Sequence, residues 1–60
     1  MMIPVWDVQT FYGTHQKRFQ CRHHAEQYCK KLCQIYDADL IEMKKRLLTQ
    51  EEFIYTDLDD

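Results

Sequence analysis

The stretch from His24 to Tyr36, HAEQYCKKLCQIY, leaves a chain this short little freedom in how it folds. Ala25, Tyr28, Cys29, Leu32, Cys33 and Tyr36 recur at spacings of three and four. On a helix those spacings make one apolar stripe, with Glu26, Gln27, Lys30, Lys31 and Gln34 turned to water. Glu26 stands four residues before Lys30, the favoured order for a helical ion pair, worth a few tenths of a kcal/mol. Everything else must supply a surface for that stripe to cover.

The first candidate surface lies upstream. Residues 3–12, IPVWDVQTFY, are rich in β-branched and aromatic side chains and predict a strand. Alternation puts Trp6, Val8, Thr10 and Tyr12 on one face, the better core face. Val5, Asp7, Gln9 and Phe11 share the other. Pro4 suits the start of a strand, where a missing N–H does least harm. Gly13, the only glycine, is a turn signal because it accepts positive φ. Lys17–Arg22, KRFQCR, alternates again, with Phe19 and Cys21 opposed to Arg18, Gln20 and Arg22. Residues 3–22 therefore predict a β-hairpin with its loop near 13–16, followed by the helix at about 23–36. Arg22 and His23 are poor N-caps, which blurs the helix start.

Two further elements follow. Propensity makes 38–48, ADLIEMKKRLL, a helix, with Leu40, Ile41, Met43, Leu47 and Leu48 as its apolar face and Asp39 and Glu42 as a capping box. Ile41, Met43 and Leu47 also fit a strand's alternation, interrupted by Lys45. A third strand would widen a sheet that otherwise stops at a marginal hairpin. Propensity favours the helix. As a strand, 38–48 would complete an antiparallel sheet in the order 2-1-3, because the helix returns the chain to the far side of the first strand. Thr49-Gln50-Glu51-Glu52 is a clearer capping box, with Leu48 and Phe53 placed as a hydrophobic staple, so a short helix should begin at Thr49. The expected fold class is α+β in one small domain, 1–60, with an acidic end at 56–60 that frays.

Size limits the chemistry. A chain of 60 residues buries only about 60% of the surface it exposes when unfolded, so metals, disulfides or a partner often support domains of this size. Three cysteines, an odd number, do not make a disulfide framework. The opening MMIPVWD has neither the basic end nor the apolar run of a secretory signal. No apolar run approaches the ~20 residues of a membrane helix. The expectation is a cytoplasmic protein with reduced thiols, no membrane partner and no cofactor. No P-loop, G-x-S-x-G, H-E-x-x-H or dinucleotide fingerprint occurs, and one glycine offers little wall for a cleft, so no catalytic residue is expected. Cys21, His23, His24, Cys29 and Cys33 suggest a zinc domain as a minor alternative. Cys29 and Cys33 lie one helical turn apart, but no C-x-x-C knuckle supports them.

Charge is unevenly laid out. Lys17, Arg18, Arg22, Lys30 and Lys31 stand against Glu26 alone in the middle of the chain, whereas Glu51, Glu52, Asp57, Asp59 and Asp60 crowd its end. Those acids are candidates for a charged contact with a basic partner, unless they fold back on Lys17, Arg18 and Arg22. Trp6 and Phe11 are candidate apolar anchors, because the aromatic content exceeds what one helix can cover. The function expected is a protein-binding module, an inhibitor or adaptor of the kind a virus or mobile element would turn on a host protein. Self-association through the surplus apolar surface is a further expectation. The alternative is nucleic-acid binding through Lys17, Arg18, Arg22, Lys30 and Lys31, with Tyr12 or Phe11 stacking on bases. The pI of about 5.8 weighs against it.

Overall fold

A computed structural model describes residues 1–11 and 16–60. It is an α+β domain: strand β1 (Met2–Thr10), strand β2 (Gln16–Phe19), helix α1 (Arg22–Leu32), a single 3-10 turn at Ala38–Leu40, strand β3 (Ile41–Thr49) and helix α2 (Gln50–Tyr55). The sheet is antiparallel, in the order β2-β1-β3. The turn expected at 13–16 lies almost wholly outside the described residues, as do Tyr12, Gly13 and their assigned roles.

The third element is the strand, not the helix that propensity favours. Leu, Glu, Met, Lys and Arg are good helix formers, but β1 offers 41–49 a partner along its whole length, from Met2↔Thr49 to Thr10↔Ile41. Pairing on that scale outweighs a propensity of a few tenths of a kcal/mol per residue. β3 ends where the capping box begins. The Glu52 N–H donates to Thr49 Oγ1 at 3.2 Å, and the Thr49 N–H donates to the Glu52 carboxylate at 3.0 Å. The backbone bond from Thr49 holds the Glu52 carboxyl below its ordinary range.

Both faces of the sheet are covered, which explains how so short a chain makes a core. α1 lies over one face, where Val8, Phe19, Ala25 and Leu32 are buried and Trp6, Tyr28, Cys29, Tyr36 and Ile41 pack around them. Phe19 and Tyr28 meet at 5.5 Å between ring centres, tilted by 49°. On the opposite face Val5 and Leu48 are buried, beneath α2 and the segment after it. The apolar stripe of α1 is thus the expected one up to Leu32. Cys33 is instead an exposed helix cap, and the chain leaves the helix there. The ion pair on α1 joins Arg22 to Glu26 at 2.8 Å, one turn earlier than the Glu26–Lys30 spacing suggests. No helix among the described residues is long and apolar enough to cross a membrane.

The capping box generates a prediction. Thr49→Ala removes the side-chain acceptor that starts α2 and should cost about 1 kcal/mol. At this chain length that is a fall in Tm of about 6 °C, measured by thermal unfolding. An unchanged Tm would mean that α2 does not need its cap.

Candidate functional site

The polar centre of the molecule is Asp7, in the middle of the central strand and only 7% exposed. A carboxylate withdrawn from water must keep cationic partners. Each neighbouring strand supplies one. Arg18 on β2 stands directly opposite Asp7 and grips it with two hydrogen bonds, Nε to Oδ1 at 2.6 Å and a terminal guanidinium nitrogen to Oδ2 at 3.0 Å. Arg46 on β3 reaches diagonally from the position opposite Val5 and places its Nε 2.9 Å from Oδ2. The bond from Asp7 pushes the Arg18 pKa up, against the lowering effect of burial.

Arg18 also holds the end of the chain. Its guanidinium donates to Thr56 Oγ1 at 2.7 Å. Its backbone N–H donates to the Asp59 carboxylate at 3.1 Å, and its carbonyl accepts the Asp59 N–H at 2.8 Å. One residue group further, the Asp60 carboxylate accepts the Cys21 N–H at 2.6 Å and lies 3.6 Å from His24 Nδ1. The N-cap of α1, Cys21, supplies no side-chain cap of its own, so Asp60 brings negative charge to a helix start that otherwise lacks it. Burial alone would raise the Asp60 carboxyl. The N–H groups of Gln20, Cys21 and Asp60 itself, with His24, outweigh it and hold the group below its ordinary range. Segment 56–60, expected to fray, is therefore strapped along the outer edge of β2.

Between strap and sheet lies an open cleft of about 240 Å³, lined by Asp7, Gln16, Lys17, Arg18, Thr56, Asp57 and Asp59. It is smaller than the ~300 Å³ at which small-molecule sites begin, and its strongest charges already answer one another. Among the described residues no buried side-chain nitrogen or oxygen lacks a hydrogen-bond partner.

The residues singled out in the sequence are dispersed by this arrangement. Of the acids, Glu52 closes the capping box, Asp59 and Asp60 bind β2, Asp57 lines the cleft and Glu51 stands exposed on α2. Trp6 is half-buried against the α1 cluster, while Phe11 is 77% exposed beyond the end of β1. About 16 Å of extended chain separates them, so they do not form one anchor. Of the cations, Arg18 is engaged as described, Arg22 pairs with Glu26, and Lys17 lies over the Tyr28 ring at 4.9 Å. Lys30 and Lys31 are exposed in the last turn of α1. Cys21, His23, His24, Cys29 and Cys33 do not converge: among the described residues no three His, Cys, Asp or Glu side chains are placed to hold a metal ion. Burial pushes the Cys29 thiol up, away from the thiolate a nucleophile needs. Sequence patterning passes over Asp7 and Arg46. A lone acid inside a β-branched run, matched by arginines in two neighbouring strands, is the signal that marks them.

Comparison with protein-family models, with curated proteins and with solved structures found no match.

The strap should respond to acid in a definite direction. Asp60 keeps its charge in the folded protein to a lower pH than in the unfolded chain, so between those two values the unfolded state binds more protons. Its contribution is complete above the ordinary aspartate pKa of about 3.9 and is lost as pH falls through the depressed folded value. Asp60→Asn should therefore lower Tm by a few degrees at neutral pH. That difference from wild type should shrink to nothing in stronger acid. A difference independent of pH would show that the charge of Asp60 is not what matters.

Proposed function

We propose that the chain is a small non-enzymatic protein-binding module, an inhibitor or adaptor that docks on a larger protein. The observation that carries this reading is an apolar strip that α1 leaves uncovered. Met2 and Leu47 are more than half exposed, Met43 is 36% exposed, and Pro4 is exposed between them. The strand register sets Pro4 beside Leu47 and the buried Val8 beside Met43, so Met2, Pro4, Met43 and Leu47 share one face and form one surface. Trp6 lies at its centre, half-buried, with Lys45 Nζ 5.9 Å from its ring centre. A tryptophan under a cation and ringed by exposed aliphatic groups has the make-up of an interface centre.

Two further points support a binding role. The cleft is too small for a typical small-molecule substrate, and the Asp7–Arg18 charges in its lining already answer each other. The acids at the end of the chain mostly serve contacts within the fold, which moves the proposed contact from those acids to Trp6, Leu47 and the strip around them.

The test uses the full chain with a photo-crosslinking amino acid at position 47, in extract from the native host. A saturable adduct with one protein is expected. Unlabelled wild-type chain should compete it away, and an unlabelled Leu47→Asp variant with an unchanged circular dichroism spectrum should not. No saturable adduct, or equal competition by Leu47→Asp, would overturn the proposal.

A further inference from the structure

We infer that the outer edge of β3 takes an extended acidic segment of the partner protein as a fourth strand. This rests on the binding role proposed above and names the chemistry of what binds. β3 is nine residues long and pairs with β1 on one side only. Among the described residues, no backbone group pairs with its other side. Positions 42–47 are all exposed. An edge this long is a template for another strand.

Its side chains say which kind. Lys44, Lys45 and Arg46 are consecutive, so a strand's alternation sends Lys44 and Arg46 to one face and Lys45 to the other. Glu42 is the only acid in β3, and it is already held by Gln9 at 3.2 Å and Lys44 at 3.3 Å. Met43 and Leu47 flank Lys45 on the face that carries the apolar strip. Lys44 pairs with Glu42 and Arg46 with Asp7, yet each of these two cationic side chains is still 57% exposed, so the complementary strand alternates, with acids facing Lys44 and Arg46 and apolar side chains facing Met43 and Leu47.

At the other edge of the same sheet β2 already meets an acidic segment of the chain itself, through Asp59 rather than as a paired strand: the Asp59 N–H donates to the Arg18 carbonyl at 2.8 Å and the Asp59 carboxylate accepts the Arg18 N–H at 3.1 Å. β3 repeats the basic character without the cover. A second copy is a poor occupant. Antiparallel self-pairing centred on the strand sets Lys45 against Lys45 and Lys44 against Arg46, and like charges directly opposite are destabilising. The second copy's own acidic segment is spent on its own β2.

The probe is a blocked peptide of alternating glutamate and valine as long as β3, with a lysine–valine peptide and a single-stranded oligothymidylate as comparisons. Hydrogen exchange of the wild-type amides is followed by NMR. The acidic peptide is expected to slow alternate β3 amides by about tenfold or more, leaving β2 unchanged. Lys44→Glu should weaken that peptide by about tenfold or more, while the lysine–valine peptide gains affinity. The inference is overturned by equal protection from the lysine–valine peptide, by preferential binding of oligothymidylate, by β3 protection that rises with protein concentration without peptide, or by no protection at all. Loss of peptide binding with the position-47 adduct intact would refute the fourth strand alone. Loss of both would refute the docking role as well.

Discussion

A carboxylate in the middle of the central strand is the constraint on which the rest of this structure depends. Asp7 is nearly buried, and burying an unpaired charge would cost more than a domain of this size can spare. Only a sheet that sets a cation on each side satisfies it. The order β2-β1-β3 does so, bringing Arg18 from one neighbour and Arg46 from the other. Register follows from the same need. A slip of one residue would turn Arg18 to the α1 face and leave Asp7 facing apolar cover. The pair is thus better understood as specifying the fold than as adding much net stability, since desolvation offsets most of the attraction between buried charges.

Arg18 passes this constraint on to the end of the chain. While its guanidinium serves Asp7 and Thr56, its backbone serves Asp59, and Asp60 reaches the start of α1. The uneven charge along the sequence is in this way largely settled inside the molecule, as acidic strap on basic edge. β3 turns Arg46 to Asp7 and keeps Lys44 and Lys45 exposed, Lys45 beside an apolar strip. One edge of the sheet is closed by the chain itself and the other is open. That asymmetry, more than the acidic end, is where the proposed binding role finds its surface.

Much of this architecture is legible in the sequence because local signals agree with the fold. The stripe from Ala25 to Leu32, the alternation in 3–12 and the capping box at Thr49 each mark an element that forms. The sheet order follows from the way the helix returns the chain. β3 is obscured because its helix-forming residues speak for themselves, whereas the β1 partner that overrules them is more than thirty positions away in sequence. The second covered face is obscured for a related reason. Val5 and Asp7 look like the poorer side of a one-faced strand until α2 and segment 56–60 are seen to close over them. Composition likewise marks the acids and cations, but the choice between internal strap and external contact depends on which backbone groups lie within reach, and only the folded chain shows that.

The most direct test of the Asp7 network is the exchange rate of the Arg18 amide, which points away from β1 and is held by Asp59. In Asp7→Asn the side chain keeps its shape and loses its charge, and nothing at the Asp59 contact is altered directly. The expected result is faster exchange at Arg18 and Cys21 in the variant, with the α1 amides still protected, because the arginine that anchors the strap has lost its own anchor. Unchanged protection at Arg18 in a folded Asp7→Asn protein would contradict the dependence of the strap on the buried charge.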